Sequence, residues 1–425
     1  MNHLKTTKNY FIVGLIIVAV GISAVAARRA MSGSSDFDVY YYAAKSAAYG
    51  NPLYTLDRHS TNQSGGPFVY PPFFAFLMTP FTLVPIGAAA ALWALINLAL
   101  FIGCIRLALS MFSKPFSFSD RFTSKKTVWL VSFIAVVLLW FFDNVAMAQV
   151  NILVLFLILL SLRLYLKNQK VAAGFFLGIS AVIKLIPLLF LPYFIIKREW
   201  KYTFGFLLAL LPAFLVPMAA IGLPKSVDYH KSWIEETLKD HTQPKTLGFY
   251  ASQLSPSHQN LQAVLFRLLI DWEFRERTGG PNGKRFIFRT PLRLTEVQAA
   301  NVSRGIVVGL AIVLFFLLWR TQKYHSFLVA VSVLFCAMVV LAPKVRSHFF
   351  IFLLLPFSIL AREILLKNQT KNENRMEKMV LVSSVAFYFL QGIKYVKFLG
   401  AGCWAALILF LYFLIRLFKR EKESI

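Results

Sequence analysis

Asp36 and Asp38 stand two residues apart in SSDFDVYYYAAKSAAYGNPLY, residues 34–54, directly after the first membrane-length apolar run. Only 19 of the 425 residues are acidic, so two carboxylates at the mouth of a membrane span need an explanation. A carboxylate so placed can take the proton from an attacking hydroxyl. Other polar residues punctuate the apolar chain in the same way. Gln149 and Asn151 lie in AMAQVNILV, Lys184 in VIKLIP, His258, Gln259 and Asn260 in SHQN, and Lys344, Arg346 and His348 in LAPKVRSHFF. Fixed cations such as Lys184, Lys344 and Arg346 suit a leaving phosphate. The amides of Gln149 and Asn151 suit sugar hydroxyls. Each residue also has a plainer role: a solvated loop acid, a helix cap, an interfacial anchor. The tyrosines at 40–42, 49 and 54 are read as interfacial packing. Convergence of the polar set at one depth of the membrane is what favours a site, because polar residues there tend to mark function. The chemistry that fits the set is transfer from a lipid-borne phosphate.

The elements that position these residues are apolar. The chain is 58% hydrophobic and 15% charged, with a mean hydropathy of +0.63. A soluble domain carries about 25% charged residues, so this is an integral membrane protein. Apolar runs fall at 10–27, 85–105, 127–142, 150–166, 171–184, 186–196, 202–222, 304–320, 326–343, 348–361, 379–393 and 398–417. They predict an all-α polytopic fold of about 12 transmembrane or reentrant helices. The net charge of +26 resides mostly in short loops between runs, where Lys and Arg set topology rather than bind nucleic acid. The basic clusters all fall on the cytoplasmic side if both termini are cytoplasmic and 171–196 is a hairpin tipped at Lys184-Leu185-Ile186-Pro187.

That topology leaves two extracytoplasmic loops, 28–84 and 223–303, and a polar cytoplasmic linker at 362–378. In the first loop, 65–81 is broken by Pro71, Pro72 and Pro80 and is expected to dip back into the outer leaflet. In the second, 258–274 reads as an interfacial amphipathic helix with Arg267 near its polar edge, and 278–284 as a turn. Cys104, Cys336 and Cys403 lie inside apolar runs and are expected as small hydrophobes.

With these motifs in hand, the chain resembles the polyprenol-phosphate-mannose-dependent mannosyltransferases, glycosyltransferase family 87 of the GT-C superfamily. The resemblance rests on DFDVYYYAAKSAAYGNPLY, FVYPPFFAFLMTPF, AQVNILVL, GFFLGISAVIKLIPLLFLPYFI, SHQNLQAVLFR and APKVRSHFFIFLLLP, in that order. It implies a GT-C-type helical bundle and an inverting transferase working on the extracytoplasmic side; a bacterial inner membrane is expected separately, because nothing in the sequence suggests organelle retention. The implied partners are a polyprenyl-phosphate sugar donor, a glycolipid or glycan acceptor and membrane lipids. No cofactor and no metal are expected. Asp36 takes the place of the general base, with Asp38 as the alternative. Gln149, Asn151, Lys184, Gln259, Asn260, Arg267, Lys344, Arg346 and His348 fall to donor or substrate binding. Two departures stand out. The usual Gly-Gln-x-Asn reads Ala148-Gln149-Val150-Asn151, and the frequent Asn-Gln-Ser reads His258-Gln259-Asn260. The competing readings are a transporter or lipid flippase, and a non-catalytic partner in envelope assembly.

Overall fold

The computed structural model describes residues 2–54, 68–112, 124–235, 253–275, 285–323, 326–366 and 373–418. From the N-terminus the helices are α1 (Asn2–Met31), α2 (Asp36–Tyr49), α3 (Pro72–Leu77), α4 (Ile86–Ser110), α5 (Ser124–Ala146), α6 (Asn151–Leu166) and α7 (Lys170–Ile183). There follow α8 (Leu191–Ile196), α9 (Trp200–Leu208), α10 (Leu210–Ile221), α11 (Leu223–Ser232) and α12 (Leu261–Leu269). The series ends with α13 (Glu296–Thr321), α14 (Phe327–Val340), α15 (Leu354–Leu366), α16 (Glu373–Leu390), α17 (Lys394–Phe398) and α18 (Ala401–Arg416). A single antiparallel ribbon among the described residues, β1 (Trp272–Arg275) with β2 (Arg285–Phe288), interrupts an otherwise all-α chain. Helix is the expected outcome, since in lipid each segment must satisfy its own backbone.

Five helices among the described residues are long and apolar enough to cross a membrane: Ile86–Ser110, Thr127–Ala146, Trp200–Ile221, Glu296–Thr321 and Ser347–Leu365. Ile16–Met31 and Asp36–Tyr49, bent by 63° at their break, make a sixth if they count as one span. Asn151–Leu166, Lys170–Ile183, Phe327–Val340 and Ala401–Arg416 are shorter apolar helices.

The chain forms two compact units. The first comprises Met1–Met111, Leu138–Leu188 and Trp200–Leu238. Here α7 and α9 cross at backbone contact. A Cβ on Gly174 or Gly178 would meet the backbone of Tyr202 or Phe206, and one on Gly205 would meet the backbone of Val171. The four-residue spacing of Gly174 and Gly178 is the small-residue pattern that lets membrane helices approach closely. Helix α7 stops at Lys184, whose backbone is extended at φ −150 and ψ 123. Had it continued, the ring of Pro187 would strike the carbonyl of Ile183. The break therefore falls where the sequence places it.

The second unit comprises Phe112–Val137, Leu189–Glu199 and Lys239–Ile425. Its centre is α14, buried along nearly its whole length. All three cysteines are buried free thiols.

Two expectations need correction. The helix expected over 258–274 spans only Leu261–Leu269, because Ile270 is extended at φ −118 and ψ 152. Trp272 then enters β1, where its ring stacks on Phe288 at 5.5 Å and packs on Phe398 at 3.4 Å between centroids. The turn expected at 278–284 lies outside the described residues. The polar linker expected at 362–378 is partly helix, since α15 runs to Leu366 and α16 begins at Glu373. A buried pair explains the extension: Arg416 Nη1 donates to Glu363 Oε1 at 2.5 Å, with the Tyr412 hydroxyl bridging Glu363 and Glu377.

Candidate active site

In the first unit, Asp36 is the first residue of α2. Ser35 precedes it in extended backbone at φ −135 and ψ 164, and Gly50 closes the helix in the left-handed region at φ 65. Both acids fall in the first turn, where carboxylates suit the helix dipole. A helix turns about 100° per residue, so positions i and i+2 face different ways. Asp38 accordingly turns into the protein, 2% exposed, while Asp36 is half-buried. The sequence left open whether the two carboxylates point together; they do not.

Asp36 is held from one turn of chain. Its backbone N–H donates to Met147 O at 3.0 Å, and Gln149 Nε2 donates to its carboxylate oxygen Oδ2. The Trp93 indole donates to Ala148 O at 3.1 Å, so a third contact pins the same turn. That turn is the end of α5. Gln149 N–H bonds to Asn144 O and Ala148 N–H to Val145 O, with Ala148 at φ 53. This is a Schellman closure, whose left-handed position glycine normally fills. This chain has Ala148 there, where the pattern of the resemblance has glycine.

Asn151 opens α6 and is fully buried. Its Oδ1 accepts from Lys184 Nζ at 2.7 Å, and its Nδ2 donates to Asn144 Oδ1 at 3.1 Å. Asn144 Nδ2 donates in turn to Trp140 O at 2.8 Å. An amide relay thus runs from the Trp140 carbonyl to the Lys184 ammonium. That ammonium also sits 5.8 Å from the centre of the Tyr70 ring. Tyr70 shares a hydroxyl hydrogen bond of 2.9 Å with Tyr40, one turn after Asp36, and its carbonyl accepts from Tyr54 Oη at 2.8 Å. Burial pushes the Tyr54 phenol upward, keeping it protonated as that donor. The first unit therefore fixes the Asp36 carboxylate through Gln149 and the Lys184 ammonium through Asn151, two amides two residues apart. Tyr40, Tyr41 and Tyr54 are buried and hydrogen-bonded, whereas Tyr49 is exposed.

In the second unit, Gln259 N–H donates to Val345 O at 2.6 Å. That bond sets the 258–260 segment beside the segment carrying Lys344, Arg346 and His348. Lys344 is half-buried, Arg346 exposed and His348 buried. Gln259 is committed to backbone: its Nε2 donates to Pro256 O and Lys397 O, and its Oε1 accepts from Gly402 N–H. Asn260 is fully buried at the N-cap of α12, and neither polar atom of its side chain has a hydrogen-bond partner. Arg267 is not at a polar edge. It is fully buried and donates to the carbonyls of Gln253, Ser255, His258 and Phe398. Burial pulls its guanidinium down to about 10, so it stays charged at neutral pH. It holds the 253–258 segment together.

Sequence reasoning missed Asn144, Tyr70 and Trp93. A signal for Asn144 was present: Asp143-Asn144 is a polar pair closing the apolar run 127–142. Tyr70 and Trp93 had none beyond being aromatic. Among the described residues, no three His, Cys, Asp or Glu side chains gather as a metal would require.

The family profile described as Glycosyltransferase family 87 matches residues 68–343. A polyprenol-phosphate-mannose-dependent alpha-(1-2)-phosphatidylinositol mannoside mannosyltransferase of Mycobacterium tuberculosis is 26% identical over 244 residues, 55% of this chain and 54% of that protein. A polyprenol-phosphate-mannose-dependent alpha-(1-2)-phosphatidylinositol pentamannoside mannosyltransferase of the same species is 25% identical over 191 residues, 44% of this chain and 42% of that one. The chain spans about half the length of the curated relatives it matches. No solved structure matches it.

Proposed function

This chain belongs to glycosyltransferase family 87, and on that premise we propose that it transfers a mannosyl residue from a polyprenyl-phosphate donor to a glycolipid or glycan acceptor. The reaction takes place on the extracytoplasmic face of the membrane. The observation that carries this reading is the Asp36 carboxylate held by Gln149 on the same turn of chain that leads into the Asn151–Lys184 pair.

Asp36 acts as the base. It removes the proton of the acceptor hydroxyl as the oxygen attacks the anomeric carbon from the face opposite the phosphate, so the configuration inverts. The amide of Gln149 orients the carboxylate, and the backbone bond to Met147 fixes its height. Asp38 is buried and has a structural role. Lys184 supplies positive charge where the sugar–phosphate bond breaks and negative charge grows on the leaving oxygen. In the second unit, Lys344 and Arg346 are cations of the kind a phosphate needs, and the resemblance gives His348 a role toward phosphate or acceptor. Loops 28–84 and 223–303 are extracytoplasmic in this reading, and both termini are cytoplasmic.

The test is mannosyl transfer by the purified full chain in detergent, with polyprenyl-phosphate mannose and envelope glycolipid. Asp36→Asn should cost roughly 10²–10⁴ in rate while the protein stays monodisperse. Full activity in Asp36→Asn would remove Asp36 as base, and absence of transfer by the wild type with any polyprenyl-phosphate sugar would sink the reading.

A further inference from the structure

Helix α13 is the most lipid-like element of the second unit. Its best apolar window is 17% buried, against 94% for Ser347–Leu365. A groove of about 600 Å³ runs along its C-terminal half. It is lined by Ile196 at the end of α8 and by Val308, Ala311, Ile312, Phe315 and Trp319 of α13. The groove is shallow and open on one side, and its lining is almost wholly apolar.

The charge lies just beyond the lining. Lys197 and Arg198 follow Ile196 directly, and Arg320 follows Trp319, with Lys323 three residues on. Arg198, Arg320 and Lys323 are exposed. Lys197 Nζ stands 5.6 Å from the ring centres of both Tyr193 and Phe327, tying α8 to the start of α14. Glu199 is the one acid in these two stretches. The groove is thus apolar along its length and cationic at its mouth, beside an exposed tryptophan. This is the pattern of an interfacial lipid contact.

The position along α13 decides which lipid. Ala299 and Ala300, near the N-terminus of α13, pack on Phe266 and Ile270 of the α12 region. From Ala300 to Trp319 is about 28 Å at 1.5 Å per residue, close to the roughly 30 Å of a bilayer core. The cationic mouth therefore sits a membrane thickness away from the α12 segment that carries Gln259 and Asn260. A donor whose phosphate meets that segment does not place its phosphate at this mouth.

We infer that the α8–α13 groove binds one acyl chain of an anionic glycerophospholipid, whose headgroup phosphate is held at the Lys197–Arg198 and Arg320–Lys323 rim. The groove and its cationic rim stand apart from the transferase reading, but the choice of a glycerophospholipid over the donor rests on it.

The test uses tryptophan quenching by phospholipids with brominated acyl chains, added to the full chain in detergent. Subtracting the signal of Trp319→Phe, which keeps an aromatic ring in place, isolates Trp319 from the other seven of the eight tryptophans. Brominated phosphatidylglycerol should quench this component at a concentration at least roughly fivefold lower than brominated phosphatidylcholine, about one cation's worth of selectivity. Arg320→Gln and Arg198→Gln should each shrink the difference, with wild-type elution in size-exclusion chromatography. Equal quenching by the two headgroups overturns the proposal in favour of bulk lipid. Displacement of phosphatidylglycerol by an equal amount of polyprenyl phosphate overturns it in favour of a donor-tail groove.

Discussion

The ammonium of Lys184 lies 2.7 Å from the side-chain oxygen of Asn151, and the other end of that carboxamide donates to Asn144. One buried amide thus fixes a cation at a helix break, and a second fixes the amide. Lys184→Gln is expected to lower kcat/KM for mannosyl transfer by roughly 10²–10³, the cost of removing one stabiliser of developing charge, with little change in Tm. Asn144→Leu acts through Asn151. It leaves a buried N–H without its acceptor, at a cost of about 1–3 kcal/mol, so both Tm and kcat should fall. Steady-state kinetics beside thermal unfolding in detergent separates the two. An unchanged kcat in Lys184→Gln would remove the lysine from the reaction.

Ala148 pays a conformational penalty that glycine would not. Its φ of 53 is in the left-handed region, at the one position of the Schellman closure where a Cβ is crowded. A non-glycine residue there costs about 1–2 kcal/mol. Glycine gives back about 0.4–1 kcal/mol through its freer unfolded chain. Ala148→Gly should therefore stabilise by roughly 0.5–1 kcal/mol, and Ala148→Val should destabilise. The Gln149–Asp36 bond depends on this turn, so Ala148→Val should also lose activity. A Tm lowered by the glycine variant would contradict the assignment of strain.

Much of this was legible in the residues. Membrane class, helical content and the break at Lys184 followed from apolar runs and from Pro187, because lipid leaves the backbone few alternatives. Asp36, Gln149, Asn151 and Lys184 were identified one by one, because polar residues are rare at membrane depth. Their pairing was not legible. Which amide serves Asp36 and which serves Lys184 depends on the left-handed turn at Ala148, and sequence spacing does not encode it. Arg267 was misplaced for a related reason. Its helical spacing gave the right helix, but the length of that helix and the fate of Trp272 depend on β2 and α17, which are distant in sequence. Phe398 receives both Arg267 and Trp272 and sits 131 residues from Arg267.

Arg267 makes a clean contrast between holding structure and holding donor. Its guanidinium meets four carbonyls from two stretches of chain. Lysine offers a point charge with no planar fork and cannot span them. Arg267→Lys should destabilise by about 2–4 kcal/mol through unmade bonds to buried carbonyls, with KM for donor unchanged in the fraction that remains folded. Thermal unfolding together with donor titration at low temperature reads both. A raised KM at wild-type Tm would return Arg267 to the donor site.

Glu363 and Arg416 test how much of the second unit depends on one buried charge pair. The side chains are 10% and 8% exposed, and Tyr412 donates to Glu363 from the same helix as Arg416. A pair of this kind contributes little over a well-packed apolar substitute, but losing one member strands the other in low dielectric. Arg416→Leu should cost about 3–5 kcal/mol, and Glu363→Leu a similar amount. The double variant Glu363→Leu/Arg416→Leu should recover most of the loss, since no charge of the pair is then left alone. Unfolding curves of the wild type and the three variants in the same detergent settle it. Additive losses in the double variant would mean that the two residues act independently, despite lying 2.5 Å apart.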